Sequence, residues 1–122
     1  MPPYHVLVAD DDDAIRSLLA RILVRTYPTM TVWAVKDGRD ALEIYDHQQL
    51  DLLITDYDMP RLDGLALLAT LRHSRQATLP ILLVSANTTI APQAHALGVS
   101  AFLTKPFSIP QLTAIITTLL PP

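Results

Sequence analysis

Acidic side chains follow two short apolar runs of the sequence. Residues 52–55, LLIT, are apolar enough for a buried strand, and Asp56 and Asp58 come directly after them. Residues 10–13 are consecutive aspartates that follow a second run, HVLVA, at residues 5–9. Aspartate is common in turns, so any one of these residues alone has a simple structural interpretation. Converging carboxylates repel one another, however, and such a cluster either takes up protons or binds a cation.

A hydroxyl and an ammonium group follow two further apolar runs. Ser85 ends PILLVS at residues 80–85, and Lys105 ends AFLTK at residues 101–105. Both side chains can donate hydrogen bonds to phosphate oxygens. Oxygen-only ligands suit Mg²⁺ or Mn²⁺, and a carboxylate can itself accept a phosphoryl group. These residue types predict that Asp56 is a nucleophile held beside a divalent metal ion.

The elements that must position these residues follow from the alternation of apolar runs with amphipathic segments. Strands are predicted at residues 5–9, 30–35, 52–55, 80–85 and 101–105. Helices are predicted around residues 15–23 and at 37–49, 62–75, 90–97 and 109–120. This alternation predicts an α/β fold with a five-stranded parallel sheet, order 2-1-3-4-5, and five helices on both faces, as in flavodoxin-like doubly wound proteins. In such sheets ligands bind at the carboxyl ends of strands one and three, where the aspartates lie.

Several residues have the properties of helix-terminus residues. Asp12 and Asp13 suit the first turn of the first helix, where the helix dipole favours negative charge. Gly98 can end the fourth helix, and Ser108 can cap the fifth, with Pro110 tolerated near its start. The histidines are scattered and are interpreted as surface or packing residues; they are His5, His47, His73 and His95.

Composition excludes several classes of protein. The 122 residues predict one domain spanning residues 1–122, with no output domain, and the absence of cysteine excludes disulfides and thiolate metal sites. A net charge of −3 with 9 basic residues argues against direct nucleic-acid binding. The start, MPPYHVLVAD, lacks the features of a signal peptide, and no run reaches the ~18 apolar residues of a membrane span. We therefore expect a cytoplasmic protein with no membrane partner.

The charges are distributed very unevenly along the chain. All 12 acidic residues lie at or before Asp63, and after Arg75 the only Asp, Glu, Lys or Arg is Lys105. Such a segment has either a neutral surface or an interface.

Four segments in order carry a resemblance to a known family. They are VLVADDDDAIR (6–16), LLITDYDMPRLDG (52–64), ILLVSA (81–86) and FLTKPF (102–107). With them the chain resembles the receiver domain of two-component response regulators over essentially its whole length. The resemblance implies a phosphoacceptor in signalling rather than a turnover enzyme. It also implies that the partner is a sensor histidine kinase or a histidine phosphotransfer protein.

The resemblance implies specific roles around the acidic cluster. Asp56 matches the phosphoacceptor. Asp10 and Asp11 match the acidic pair that holds Mg²⁺, and the backbone carbonyl of Asp58 matches a further metal ligand. Asp56 would also contribute to the metal site.

The resemblance also implies a switch at strands four and five. Ser85 and Lys105 match the residues that contact the phosphoryl group, Ser85 and Phe102 match the switch pair, and the Lys105–Pro106 bond matches a site that is usually cis. The output surface would be formed by strands four and five with helices four and five. In regulators that dimerise there, this surface usually carries charged pairs, whereas residues 108–120 here carry no charge. We therefore predict an apolar interface with another copy or with a partner domain.

Two other functions remain open from the residues alone. One is a protein-interaction module that keeps the fold without being phosphorylated. The other is a phosphatase, because Asp56-Tyr57-Asp58 is similar to the DxD motif of haloacid dehalogenase-like enzymes. Met59 follows here, where that motif usually continues with Thr or Val.

Overall fold

The computed structural model describes residues 3–121 and contains one parallel sheet. Its strands are His5–Ala9 (β1), Thr31–Val35 (β2), Leu52–Asp56 (β3), Ile81–Ser85 (β4) and Ala101–Thr104 (β5). All four neighbouring pairs are parallel, and the order is β2-β1-β3-β4-β5. The predicted fold class and strand order are therefore confirmed.

Helices connect the strands in sequence. They are Asp13–Thr26 (α1), Gly38–His47 (α2), Gly64–Ala69 (α3), Ala91–Ala96 (α4) and Ile109–Leu119 (α5). The helix predicted at residues 62–75 is divided, because α3 continues as a π-helical segment, Thr70–Ser74. A short 3₁₀ turn, Thr88–Ile90, leads into α4. Within residues 3–121, every helix is too short or too polar to cross a membrane.

The core consists of two apolar clusters on opposite faces of the sheet. Neighbouring residues of the central strands alternate between them, as the period of two in a strand requires: Ile54 belongs to one cluster and Leu53 to the other. Helices α1 and α5 cover the first cluster, and α2, α3 and α4 cover the second. Strand β3 is buried along its whole length, so Asp56 ends a strand enclosed on both sides.

The helix-terminus residues that the sequence indicated occupy those places. Asp12 is the N-cap of α1, and its side chain accepts hydrogen bonds from the backbone amides of the first turn. Ser108 and Gln111 form a capping box at the start of α5. Gly98 follows α4 with φ of 91°, a left-handed conformation that favours glycine. The Lys105–Pro106 bond is cis, as the resemblance implied.

Candidate functional site

Polar residues from β1, β3, β4 and β5 lie at one edge of the sheet. Asp56 and Ser85 are the last residues of β3 and β4, and Asp10 directly follows β1. Lys105 was predicted to end the fifth strand but follows β5, which ends at Thr104; its amide still donates to the carbonyl of Ser85 at 3.0 Å. Because the strands are parallel, their carboxyl ends meet at this edge.

Three carboxylates converge at the carboxyl ends of the neighbouring strands β1 and β3. Asp10, Asp11 and Asp56 each offer one oxygen, and these oxygens all lie within 4.8 Å of one another. Asp10 and Asp56 are buried, with 1% and 8% exposure, whereas Asp11 is exposed. Asp58 lies in the loop after β3 with its side chain exposed, outside this group. The group has the oxygen-only chemistry that hard divalent cations prefer, so these residues could hold a metal ion.

Lys105 is the cation that faces these acids. Its Nζ lies 3.2 Å from Oδ2 of Asp10 and 3.5 Å from Oδ1 of Asp56. One ammonium group therefore faces two buried carboxylates and a third nearby, which leaves the site with excess negative charge. A bound cation would offset that excess.

The pKa values of Asp56 and Lys105 reflect this arrangement. Burial raises the pKa of Asp56 above its ordinary value, and the Asp10 carboxylate raises it further, against the opposing influence of Lys105. For Lys105, burial acts to lower the pKa, but the carboxylates of Asp10 and Asp56 outweigh it, so the pKa of Lys105 is raised. Lys105 therefore stays protonated at neutral pH, and a cation bound beside Asp56 would favour the ionised form of this carboxyl.

Backbone amides orient the two buried carboxylates. Oδ1 of Asp10 accepts from the amide of Asp12 at 2.9 Å, and Oδ1 of Asp56 accepts from the amide of Tyr57 at 2.9 Å. Lys105 also faces Oδ1 of Asp56, so within residues 3–121 the Oδ2 atom of Asp56 has no hydrogen-bond donor. Arg16 donates to the backbone carbonyl of Asp10 at 2.9 Å and so ties the β1 end to α1. Oδ2 of Asp56 is thus available for a metal ion or an electrophile.

The two residues assigned to a switch lie at different depths. Ser85 is buried, adjoins Asp56 along the neighbouring strand, and accepts a hydrogen bond from the amide of Asn87 at 3.0 Å. Phe102 is partly buried on β5, where it pairs in register with Leu83 and packs against the second core cluster. Ser85 therefore lies buried at the edge that carries the acidic group, while the more exposed Phe102 lies on the side of the sheet covered by α3 and α4.

The loop between β3 and α3 makes contacts that no pattern in the sequence predicts. Gly64 packs so tightly that a Cβ on it would lie 2.3 Å from the carbonyl oxygen of Asp56. Arg61 pairs with Asp37, the N-cap of α2, at 3.2 Å. No role was assigned to Asp37, because a contact across 24 residues leaves no local pattern in the sequence. Both contacts shape the backbone that follows Asp56.

Comparisons with known proteins agree on one family. The family model described as "Response regulator receiver domain" matches residues 6–117. The response regulator MprA of Mycolicibacterium vanbaalenii is 37% identical over 120 residues, which cover 97% of this chain and 51% of MprA. The chain thus spans about half the length of that relative.

Solved structures give the same result. The chemotaxis response regulator CheY4 of Vibrio cholerae superimposes with a TM-score of 0.87 at 27% identity, covering 98% of this chain and 100% of that one. The receiver domain of the Francisella response regulator 1452 superimposes with a TM-score of 0.85 at 31% identity, covering 95% of each chain.

Proposed function

The chain belongs to the family of response regulator receiver domains, and from this premise we propose that Asp56 accepts a phosphoryl group from a phosphohistidine donor. Domains of this family are signalling modules rather than turnover enzymes. One observation carries the proposal: Asp56 ends a buried strand with a free carboxylate oxygen beside Asp10, Asp11 and Lys105. The donor would be a sensor histidine kinase or a histidine phosphotransfer protein.

The acidic group fits a divalent cation. Its oxygen-only donors and its excess of negative charge over the single ammonium of Lys105 suit Mg²⁺ or Mn²⁺. The carboxylates of Asp10, Asp11 and Asp56 would hold the ion, together with the backbone carbonyl of Asp58. When bound, the ion supplies positive charge that offsets the charge of the phosphoryl oxygens and of the surrounding carboxylates.

Three residues of this chain have separate roles in the phosphoryl transfer: Asp56, Tyr57 and Lys105. Oδ2 of Asp56 attacks the phosphorus; as the new O–P bond forms, the N–P bond of the donor breaks and its electron pair returns to the imidazole nitrogen. The amide of Tyr57 holds Oδ1 and so orients the attacking oxygen. Lys105 keeps its positive charge beside Asp56 and is placed to bind the transferred oxygens.

An apolar cleft near the site is an argument that the phosphoryl donor is a protein. The cleft borders Lys105, has a volume of ≈ 320 Å³, and is lined by Ile15, Leu18, Ala86, Lys105, Pro106 and Phe107. A protein that carries the phosphohistidine could bury apolar surface here while its imidazole approaches Asp56. A partner site beside the acceptor is what transfer between two proteins requires.

Phosphorylation would bias the surface formed by β4, β5, α4 and α5. The new group adds charge and acceptor oxygens, which the hydroxyl of Ser85 can meet as a donor. That hydroxyl now accepts from Asn87, which caps the 3₁₀ turn leading into α4, so a shift of Ser85 perturbs this turn. Space vacated near Ser85 would then favour an inward position of Phe102, as a shift between existing states.

The part of this surface formed by α5 suits an apolar interface. Helix α5 contains no charged residue, and it borders a shallow groove of ≈ 340 Å³ lined by Ser100, Ala101, Ala114, Ile115, Thr118 and Leu119. We expect sedimentation velocity to show a dimer that strengthens on phosphorylation and is lost in Ile115→Lys. The matched control Gln48→Lys adds the same charge at an exposed position after α2 and should leave the dimer intact. A monomer in both states at high concentration would rule out self-association and leave a partner domain as the occupant.

Metal dependence tests the proposed function directly. The protein is incubated with phosphoramidate, whose N–P bond resembles that of phosphohistidine, and its intact mass is followed over time. We expect one added phosphoryl group with Mg²⁺ and a rate lower by roughly 100-fold or more with a chelator, because a metal ion stabilises the transition state by several kcal/mol. An unmodified protein under both conditions would favour the interaction module. Sustained turnover of a phosphomonoester would favour the phosphatase.

A further inference from the structure

A strained turn lies in the loop between β3 and α3. Arg61 has φ of 67°, a left-handed conformation that is uncommon for a residue other than glycine. The amide of Leu62 donates to the carbonyl of Pro60 at 2.7 Å, which closes a three-residue γ-turn around Arg61. A γ-turn with positive φ is rare and strained, and it persists only where its surroundings hold it.

An ion pair to α2 holds this turn from one side. Nη1 of Arg61 lies 3.2 Å from Oδ2 of Asp37 and 3.5 Å from Oδ1 of Asp40. Asp37 is 6% exposed, and its other oxygen accepts from the amide of Asp40 at 2.8 Å as the N-cap of α2. The carboxylate of Asp37 is therefore fixed, so it can anchor the arginine.

A backbone contact to α2 holds the turn from the other side. The amide of Gly38 donates to the carbonyl of Leu62 at 3.1 Å. A Cβ on Gly38 would lie 2.3 Å from that carbonyl oxygen, so only glycine allows the approach. The turn is thus fastened to α2 by a side-chain pair and by a main-chain hydrogen bond.

The opposite end of the loop is fastened to the acceptor strand. The amide of Gly64 donates to the carbonyl of Tyr57 at 2.8 Å, and the amide of Tyr57 donates to Asp56 at 2.9 Å. Asp58 lies between these contacts and the strained turn. Residues 58–60 are thus a short connection between these contacts and the turn, so a shift of the turn would be passed to the backbone at Asp58, whose carbonyl belongs to the proposed metal site.

We propose that Arg61 and Asp37 form a clasp that positions the loop after Asp56 for a divalent cation. The proposal rests on the proposed function, and it assigns a positioning role to two residues outside the acidic group. Linkage requires reciprocity: if the clasp strengthens cation binding, then the cation stabilises the clasp by the same factor. The N-terminus of α2 is thereby coupled to the occupancy of the site.

Calorimetric titration with Mg²⁺ tests the clasp. We expect Arg61→Ala to raise the Mg²⁺ dissociation constant about tenfold, the lower range for residues that orient metal ligands, and Arg61→Lys to recover part of the loss. Asp37→Asn keeps a capping oxygen but removes the charge, so it should weaken binding to a similar degree. Because one interaction is removed in each case, the double variant should lose no more than either single variant.

A second ion pair on α2 provides the matched control. Arg75 binds Asp46 through two hydrogen bonds of 2.9 Å and ties the other end of α2 to the segment after α3. Arg75→Ala removes an equivalent Arg–Asp contact far along the helix from the loop. It should leave the Mg²⁺ dissociation constant unchanged, and an equal loss in Arg75→Ala would refute a specific role for the clasp.

Amide hydrogen exchange supplies a readout independent of phosphorylation. In the wild type, Mg²⁺ should slow exchange of the Gly38 amide, which donates to Leu62, and this slowing should shrink in Arg61→Ala. Equal Mg²⁺ affinities for wild type and Arg61→Ala would refute the clasp alone. If the wild type itself bound no Mg²⁺, the metal site and the clasp would both fail.

Discussion

The Asp56→Asn protein is expected to gain no phosphoryl group under conditions that modify the wild type completely. An amide is neutral and a far weaker nucleophile than a carboxylate, yet it has nearly the same shape and can still accept from the Tyr57 amide. The rate should fall by roughly 10³-fold or more, as expected when the attacking group itself is removed. Intact-mass spectrometry after incubation with phosphoramidate and Mg²⁺ measures the effect.

Asp58→Asn is the matched control, because it makes the same change of group two residues along the chain. The Asp58 side chain is exposed and lies outside the acidic group, while its backbone carbonyl is kept. This variant should still be phosphorylated. If Asp56→Asn were phosphorylated at the wild-type rate on another residue, that residue, and not Asp56, would be the phosphoacceptor.

The Asp56→Asn protein should also be more stable than the wild type in the absence of metal. The pKa of Asp56 is raised in the folded protein, so ionisation of this group opposes folding. The free energy of unfolding of the wild type should therefore fall as pH rises from the ordinary aspartate pKa through the raised folded value. Above that range Asp56→Asn avoids this cost, which Lys105 offsets only in part. Denaturant titration with a chelator should show this gain, and added Mg²⁺ should remove it.

Gly64→Ala should cause a large loss of stability. A Cβ there would lie 2.3 Å from the carbonyl oxygen of Asp56 and 2.9 Å from the Cα of Tyr57. Both atoms are backbone, so β3 and α3 must separate, at a cost of about 3 kcal/mol. Alanine is the better helix former, so the expected loss runs against intrinsic propensity. Urea unfolding followed by circular dichroism gives the difference.

Gly98→Ala provides the comparison, because it tests backbone conformation rather than a clash with backbone. Its Cβ would lie 3.4 Å from the flexible side chain of Arg72, and the strain comes from φ of 91°. A smaller loss of about 1 kcal/mol is expected there. If Gly64→Ala cost no more than Gly98→Ala, the tight packing of α3 against the end of β3 would be wrong.

The strand order and the acidic group could be predicted because both follow from local patterns. LLIT and ILLVS are continuous apolar runs, which are typical of strands buried on both faces. Once parallel strands are inferred, the residues after each run must share one edge, which brings Asp10, Asp56 and Lys105 together. In the structure, the Nζ atom of Lys105 lies within ion-pair distance of the carboxylates of both Asp10 and Asp56.

The clasp could not be predicted, because its contacts depend on tertiary geometry. An arginine ordinarily prefers negative φ, whereas Arg61 has φ of 67° and pairs with Asp37 on a different element. The change from α-helix to π-helix at Thr70 likewise has no periodic signal, because the apolar spacing of α3 runs across this point to Leu71 without a break. Sequence patterns report local preferences, whereas these features arise from packing between elements.

The scarcity of charge after Arg75 has a consequence for the chain when it is not folded. The β4 segment ILLVS has strong β-propensity and no charge, and the nearest charged residues are Arg75 before it and Lys105 after it. Aggregation-prone segments in most proteins are flanked by closer charges that keep unfolded molecules apart. Lys105 therefore acts in two settings: it faces Asp56 in the native protein, and in a denatured or newly made chain it is the one Lys, Arg, Asp or Glu within residues 76–122 that opposes intermolecular β-sheet formation.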